Sequence, residues 1–172
     1  EYTRGKSADC VIAALLHDAA EDHQASLRKI MRTEKGALVN RRERFDGLFG
    51  REARQIVLLL TKKKSTLDHK TVRYQQYILH LTHDERALAI KVADFLDNAL
   101  KINDKPPELR IRLAKKWKPV APLLIAALGQ LKHVHGILDD EMRTYLIGEL
   151  HHAAYEIDSA ILSADTALGQ SR

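Results

Sequence analysis

Along this chain, apolar residues recur every three or four positions, and short polar segments rich in Lys, Gly, Pro or Asn separate those stretches. That period marks helices burying one face. The every-second-residue alternation of a half-buried strand persists nowhere. The pattern predicts a first helix over residues 8–22, around Cys10, Ile12, Leu15 and Leu16. Ser26 is a candidate cap for a short helix near 27–33. Residues 33–44 are polar, basic and contain Gly36, and they read as a flexible insertion or loop. Phe49-Gly50 opens a helix through Ile56, Val57, Leu59 and Leu60 that ends at Lys62-Lys63-Lys64. Ser65 or Thr66 starts another, to about Leu81, and the next runs from about Asp84 to Leu100. After a turn at 103–107, Pro107 suits the first turn of a helix. Pro119 and Pro122 sit near the start of another, which ends at Gly129 or Gly136. A final helix spans about Asp139 to Ala164. The expected fold class is all-α, a single domain over 1–172 with roughly seven to nine helices.

Composition agrees with that reading. The 172 residues are 45% hydrophobic and 30% charged, ordinary for a globular domain with its own core. A single cysteine, Cys10, excludes an intramolecular disulfide and suits a reducing compartment, so a cytoplasmic location is expected. Its neighbours Val11 and Ile12 mark it as a buried thiol. No apolar run approaches the ~20 residues needed to span a bilayer, and no membrane partner is expected. The net charge of +5 suits an anionic ligand but is too small to mark a nucleic-acid binder.

Two stretches carry chemistry. In Leu15-Leu16-His17-Asp18-Ala19-Ala20-Glu21-Asp22, residues four apart share a helical face, so His17 sits over Glu21 and Asp18 over Asp22. The three acids repel one another, and they lie toward the helix C-terminus, where the macrodipole disfavours anions. A divalent cation would remove that conflict, since imidazole and carboxylates form a hard-to-borderline N/O site. The second stretch is Lys91-Val92-Ala93-Asp94-Phe95-Leu96-Asp97-Asn98, which places Lys91, Asp94 and Asn98 on one face. Alone it reads as a surface stripe with an ion pair worth ~0.2–0.5 kcal/mol. Beside the His17-Asp18 helix it reads as the other half of a site. His83-Asp84 is a second His-Asp dipeptide, but Asp84 suits the N-cap of the helix that follows.

His17-Asp18 followed by an isolated Asp94 resembles the HD superfamily of metal-dependent phosphohydrolases. More narrowly, Leu15-Leu16-His17-Asp18-x-x-Glu21-Asp22 is similar to the hydrolase domain of RelA/SpoT proteins and small alarmone hydrolases. Phe49-Gly50-Arg51-Glu52-x-Arg54-x-Ile56-Val57-x-x-x-Thr61-Lys62 resembles that family's next block, and Lys91-x-Ala93-Asp94-x-x-x-Asn98 the one after it. Val120-Ala121-Pro122-Leu123 resembles the helix that follows. The resemblance covers roughly residues 8–130.

It implies an HD-domain helical bundle in which His17, Asp18 and Asp94 hold one divalent cation, with Mn²⁺ the best-suited ion. Glu21 and Asp22 would be the catalytic pair that orients water or exchanges protons. Asn98 would contact the nucleotide or its ribose, and Lys91 would neutralise a phosphate or orient Asp94. The implied reaction removes the 3′-pyrophosphate from guanosine tetra- or pentaphosphate, a small-molecule guanine nucleotide. This chain departs from the family at Lys101, where a small hydroxyl residue is common, and at Asp97, where an aromatic residue or His is common. Lys101 offers a further phosphate contact. The family's first metal-binding histidine would fall before Glu1, so the chain is expected to lack the family's N-terminal helices. Two alternatives stay open: another HD phosphohydrolase acting on nucleotides, or a degenerate module that binds without turnover. The last helix either seals the core or faces a second subunit, which leaves a homodimer open.

Overall fold

Eight α-helices and one 3₁₀ turn make up the described residues of this computed structural model, 8–22, 41–61, 70–131 and 136–169, and no strand occurs among them. The helices are α1 (Ala8–Asp22), α2 (Arg41–Phe49), α3 (Arg51–Leu60), α4 (Lys70–Leu81), α5 (Glu85–Ala99), α6 (Pro107–Trp117), α7 (Val120–Gln130) and α8 (Asp140–Gly169). The 3₁₀ turn, Ile102–Asp104, links α5 to α6. The architecture is an all-α helical bundle, and among the described residues no helix is long and apolar enough to cross a membrane.

Helices α3 and α8 each owe their place to one apolar stripe. In α3, Ala53, Ile56, Val57 and Leu60 fall on one face and are buried against α1, whose Cys10 and Ala13 fill the facing positions. In α8, Leu146, Leu150, Ala153, Ile157 and Ala160 form a stripe that packs on α5, α6 and α7. Full burial of one Leu or Ile side chain stabilises by about 1.5–3 kcal/mol, so such stripes dominate helix placement. Pro107 occupies the first turn of α6 and Pro119 the cap position of α7, as the sequence suggests.

The structure departs from the sequence pattern in two places. Helix α2 begins at Arg41, inside the stretch 33–44 assigned by its polarity to a loop; residues 33–40 lie outside the described residues. Arginine is a good helix former, and Phe45 and Phe49, one turn apart, pack with ring centroids 5.0 Å apart. Asp46 also accepts from Arg54 Nε at 2.5 Å, which ties α2 to α3. The last helix extends to Gly169, beyond Ala164. The short helix near 27–33 and the Lys62-Lys63-Lys64 run lie outside the described residues.

Gly50 makes the joint between α2 and α3. Its φ of +89° lies in the left-handed region, and a Cβ there would sit 3.2 Å from Asp9 Oδ1 on α1.

Helix α5 is the centre of the bundle: residues 85–90 are all buried in succession. A buried helix start must satisfy its free N–H groups internally. Asp84 does so as N-cap, accepting from the Arg86 backbone N–H at 2.9 Å. The Arg86 guanidinium returns to Asp84 through Nε (3.0 Å) and Nη2 (2.7 Å), and its Nη1 donates to Glu52 of α3 at 3.0 Å. These bonds to Asp84 first, and to Glu52 second, hold the Arg86 guanidinium still more firmly protonated, against the opposing effect of burial. Glu85 is fully buried and accepts from the Ile137 backbone N–H, fastening the segment before α8.

Cys10 packs beside this cluster, its Sγ 4.0 Å from the Arg86 carbonyl oxygen. Burial pushes its thiol up to about 11; Arg86 opposes this, and the Asp84 and Asp9 carboxylates add to it.

Arg86→Ala would strand the Asp84 carboxylate in the interior. The expected loss is about 3–5 kcal/mol of stability, read from urea denaturation midpoints. Cys10 should resist alkylation in the folded protein at pH 8 and react only on unfolding. Because its folded pKa lies above the ordinary value of 9.0, the stability from its buried neutral form is complete below pH 9. That contribution should decline as pH rises from 9 toward 11, and comparing the Cys10→Ala variant over that range isolates it.

Candidate functional site

An open cleft of about 560 Å³ lies where α1, α5, α6 and α7 meet. Helix α1 supplies His17 and Asp18, and α5 supplies Lys91, Asp94 and Asn98. The rest of the lining includes Lys115, Lys116 and Trp117 of α6 and the apolar side chains of Leu60, Phe95, Val120 and Leu123. The two stretches singled out by the sequence, far apart along the chain, therefore line one cavity.

On α5, the side chains recur at intervals of three and four, so they share the face turned to the cleft. The opposite face, with Val92 and Leu96, is buried in the core. Lys91 Nζ lies 2.5 Å from Asp94 Oδ2, and Asn98 Nδ2 donates to Asp94 Oδ1 at 3.1 Å. Asn98 Nδ2 also donates to the Asp94 backbone carbonyl at 2.7 Å. Both carboxylate oxygens of Asp94 are thus engaged by neighbours on its own helix. Lys91 is largely buried, with its side chain 12% exposed, so its ammonium is held in place rather than solvated.

His17 is in a different state. Its Nδ1 lies 2.7 Å from the Ala14 carbonyl oxygen. A carbonyl can only accept, so Nδ1 carries a proton, and in the neutral ring Nε2 presents a lone pair. Nε2 is buried without a hydrogen-bond partner, yet it lies 3.0 Å from Asp18 Oδ1. In the neutral imidazole two electron-rich atoms face each other. The contact becomes attractive only when a second proton or a cation comes between or beside them. A histidine fixed by Nδ1–H to a backbone carbonyl, with Nε2 free, has the usual orientation of a metal-ligating imidazole. The N/O donor pair suits a hard-to-borderline divalent ion. Asp94 lines the same cleft, but with its carboxylate on Lys91. Among the described residues, no group of three His, Cys, Asp and Glu side chains is gathered to hold a metal ion.

The remaining expected site residues fall elsewhere. Glu21 and Asp22 close α1 one turn beyond His17, and their side chains lie outside the described residues. Lys101 pairs with Asp97 at 2.5 Å on an exposed face and is not part of the cleft lining. Asp84 caps α5, which accounts for the second His-Asp dipeptide structurally.

The contribution of α6 to the cleft was not expected from the sequence. Lys115, Lys116 and Trp117 come from the polar C-terminal turn of α6, which as sequence is indistinguishable from a solvated helix end. The available signal was the chain's single tryptophan beside two lysines just before Pro119.

The chain is 27% identical over 124 residues to the probable guanosine-3′,5′-bis(diphosphate) 3′-pyrophosphohydrolase of Synechocystis sp.. The match takes in 69% of this chain and 14% of that protein, so the chain corresponds to a small part of its relative. At that identity the likeness supports a relationship to a hydrolase family, not one particular reaction. No protein-family model matches the chain, and no solved structure matches it.

If the His17–Asp18 couple seeks a cation, Mn²⁺ should raise the melting temperature of the folded protein in a concentration-dependent way, since a ligand that binds only the native state stabilises it. His17→Ala should abolish that shift. Lys91→Met should enlarge it by freeing Asp94. Scanning calorimetry with and without Mn²⁺ reads all three.

Proposed function

We propose that this chain is a metal-dependent phosphohydrolase that releases pyrophosphate from the 3′ position of guanosine 3′,5′-bis(diphosphate)-type nucleotides. The observation that carries the reading is the convergence of the His17–Asp18 couple and Asp94 on one cleft of nucleotide size. The named activity of the Synechocystis relative supports the choice of substrate.

In this reading His17, Asp18 and Asp94 hold a divalent ion, Mn²⁺ by the chemistry of the donor set. Bound there, the ion would make water a better nucleophile near neutral pH and offset phosphate charge. The protein's own groups do the rest. The Ala14 carbonyl fixes the His17 ring, so Nε2 faces the ligand without reorganisation. Glu21 and Asp22, one turn along α1, orient the attacking water and accept its proton. The oxygen of that water joins the phosphorus next to the ribose, the P–O3′ bond breaks, and the ribose oxygen leaves and is protonated. Lys91 acts as a local counter-charge that keeps Asp94 in place until an ion or a phosphate takes its share. Asn98 is the ribose or nucleotide contact at the open end of the same face.

The Lys91–Asp94 ion pair also favours a second reading, in which the cleft binds a nucleotide and does not turn it over. A carboxylate already neutralised by a buried ammonium is a weaker metal ligand than a free one.

The deciding experiment is pyrophosphate release from guanosine tetraphosphate with Mn²⁺, using the full natural protein. Release is expected, with complete loss in Asp94→Ala and a fall of about 10²–10⁴ in kcat for Glu21→Gln. Nucleotide binding without release, by folded protein loaded with Mn²⁺, would establish the binding module instead.

A further inference from the structure

Lys115 and Lys116 form the basic last turn of α6, and both line the cleft that holds His17, Asp18 and Asp94. Their electrostatic situation differs from that of Lys91, Lys101 and Lys118. Lys91 engages Asp94, Lys101 engages Asp97, and Lys118, two residues on, engages Asp158 at 2.8 Å. Among the described residues neither Lys115 nor Lys116 pairs with a carboxylate. A cation in a last helical turn gains about 0.3–1 kcal/mol from the macrodipole. Adjacent ammonium groups return part of that gain by repelling each other, and Lys118 already serves the same helix end. Helix stability therefore explains one lysine at this turn better than a run of them. An anion with several oxygens would relieve the repulsion and use both.

The cleft itself argues for where that anion sits. Its charged lining divides between two sources: carboxylates, an imidazole and the Asp94-paired Lys91 from α1 and α5, and the lysine pair from α6. Trp117, Phe95, Val120 and Leu123 supply an apolar lining to the same cavity. Its volume of about 560 Å³ falls within the range of about 300–1,000 Å³ typical of small-ligand sites. A ligand matched to this surface carries an apolar or aromatic body and more than one cluster of negative charge.

We propose that Lys115 and Lys116 form the phosphate subsite that takes the non-reacting phosphate group of the substrate. The proposal rests on the reading of the cleft as a phosphohydrolase site. The reacting group belongs with His17, Asp18 and Asp94, and the lysine pair receives the 5′-diphosphate of the same nucleotide. Lysine suits this task as a compact point charge that adapts to a mobile phosphate. Screening by salt should tune it, because both lysines are exposed to solvent.

Trp117 is the only tryptophan in the chain and adjoins the pair, so its fluorescence reports on this end of the cleft. Guanosine 5′-diphosphate, which lacks any 3′ phosphate, is titrated into the protein in metal-free buffer. A saturable change in Trp117 fluorescence is expected, with competition by inorganic pyrophosphate and weaker binding at higher salt. K115Q/K116Q should raise the Kd about tenfold, and K115R/K116R should restore most of the affinity. Thermal melts of both variants check that the fold is kept. An unchanged Kd in K115Q/K116Q would overturn the subsite, as would calorimetry showing no binding of guanosine 5′-diphosphate. Lysine-dependent binding by a protein that releases no pyrophosphate would remove the proposed reaction and keep the subsite. Release of pyrophosphate with a KM for guanosine tetraphosphate unmoved by K115Q/K116Q would keep the reaction and remove the subsite.

Discussion

A helix buried at its very first turn has to solve two problems together, because its leading N–H groups need acceptors and those acceptors bring charge into the core. Here Asp84 is the acceptor and Arg86 the counter-charge, and Glu52 on α3 extends the cluster toward the surface. Glu85, buried beside them, holds the backbone at Ile137. One cluster thus joins α3, α5 and the approach to α8. A buried ion pair adds little net stability, since desolvation consumes most of its attraction. What it adds here is register. With Arg86 committed to Glu52 of α3 and Glu85 to the backbone at Ile137, α5 cannot rotate about its axis without stranding a charge.

That fixed rotation is what makes the cleft. Leu88, Val92 and Leu96 fall inward, and Lys91, Asp94 and Asn98 consequently face the cavity. The two halves of the site then differ in kind. On α5 the acid is fully matched by its own helix, through Lys91 and Asn98. On α1 the imidazole and the carboxylate are mismatched, with Nε2 facing an oxygen and no proton between them in the neutral state. A cation arriving at the cleft finds an unmet demand on α1 and a demand already met on α5. Its affinity depends on how readily Asp94 exchanges Lys91 for a new partner.

Much of this was legible in the sequence, for identifiable reasons. Apolar periodicity and the flanking turn residues placed α3, α5 and α7 close to their observed limits, and Pro107 marked the first turn of α6. Asp84 was recognisable as a cap because the residues after it begin a helix at once. Helix α2 was hidden by its arginines, whose charge suggested a loop while Phe45 and Phe49 supplied the anchoring face. The convergence of His17, Asp18 and Asp94 followed from matching short motifs. The lysines of α6 did not, since a cation near a helix C-terminus carries no mark of the cavity it borders. The exposure of Leu15, at 75%, was equally invisible, because periodicity identifies an apolar residue without saying what covers it.

The Gly50 joint shows how far the site reaches into apparently neutral parts of the chain. The residue offers no functional group, yet its backbone occupies a region closed to most side chains, and Asp9 Oδ1 of α1 would lie 3.2 Å from a Cβ placed there. Helix α1 carries His17 and Asp18, and it is seated chiefly on α3, which Gly50 introduces. A larger residue at position 50 would push on the helix that aims the imidazole. In a population of variants, such a substitution would be scored as a chemical lesion although it lies at a turn. The seating of the helix that carries His17 and Asp18 therefore depends on a residue whose contribution is the space it leaves empty.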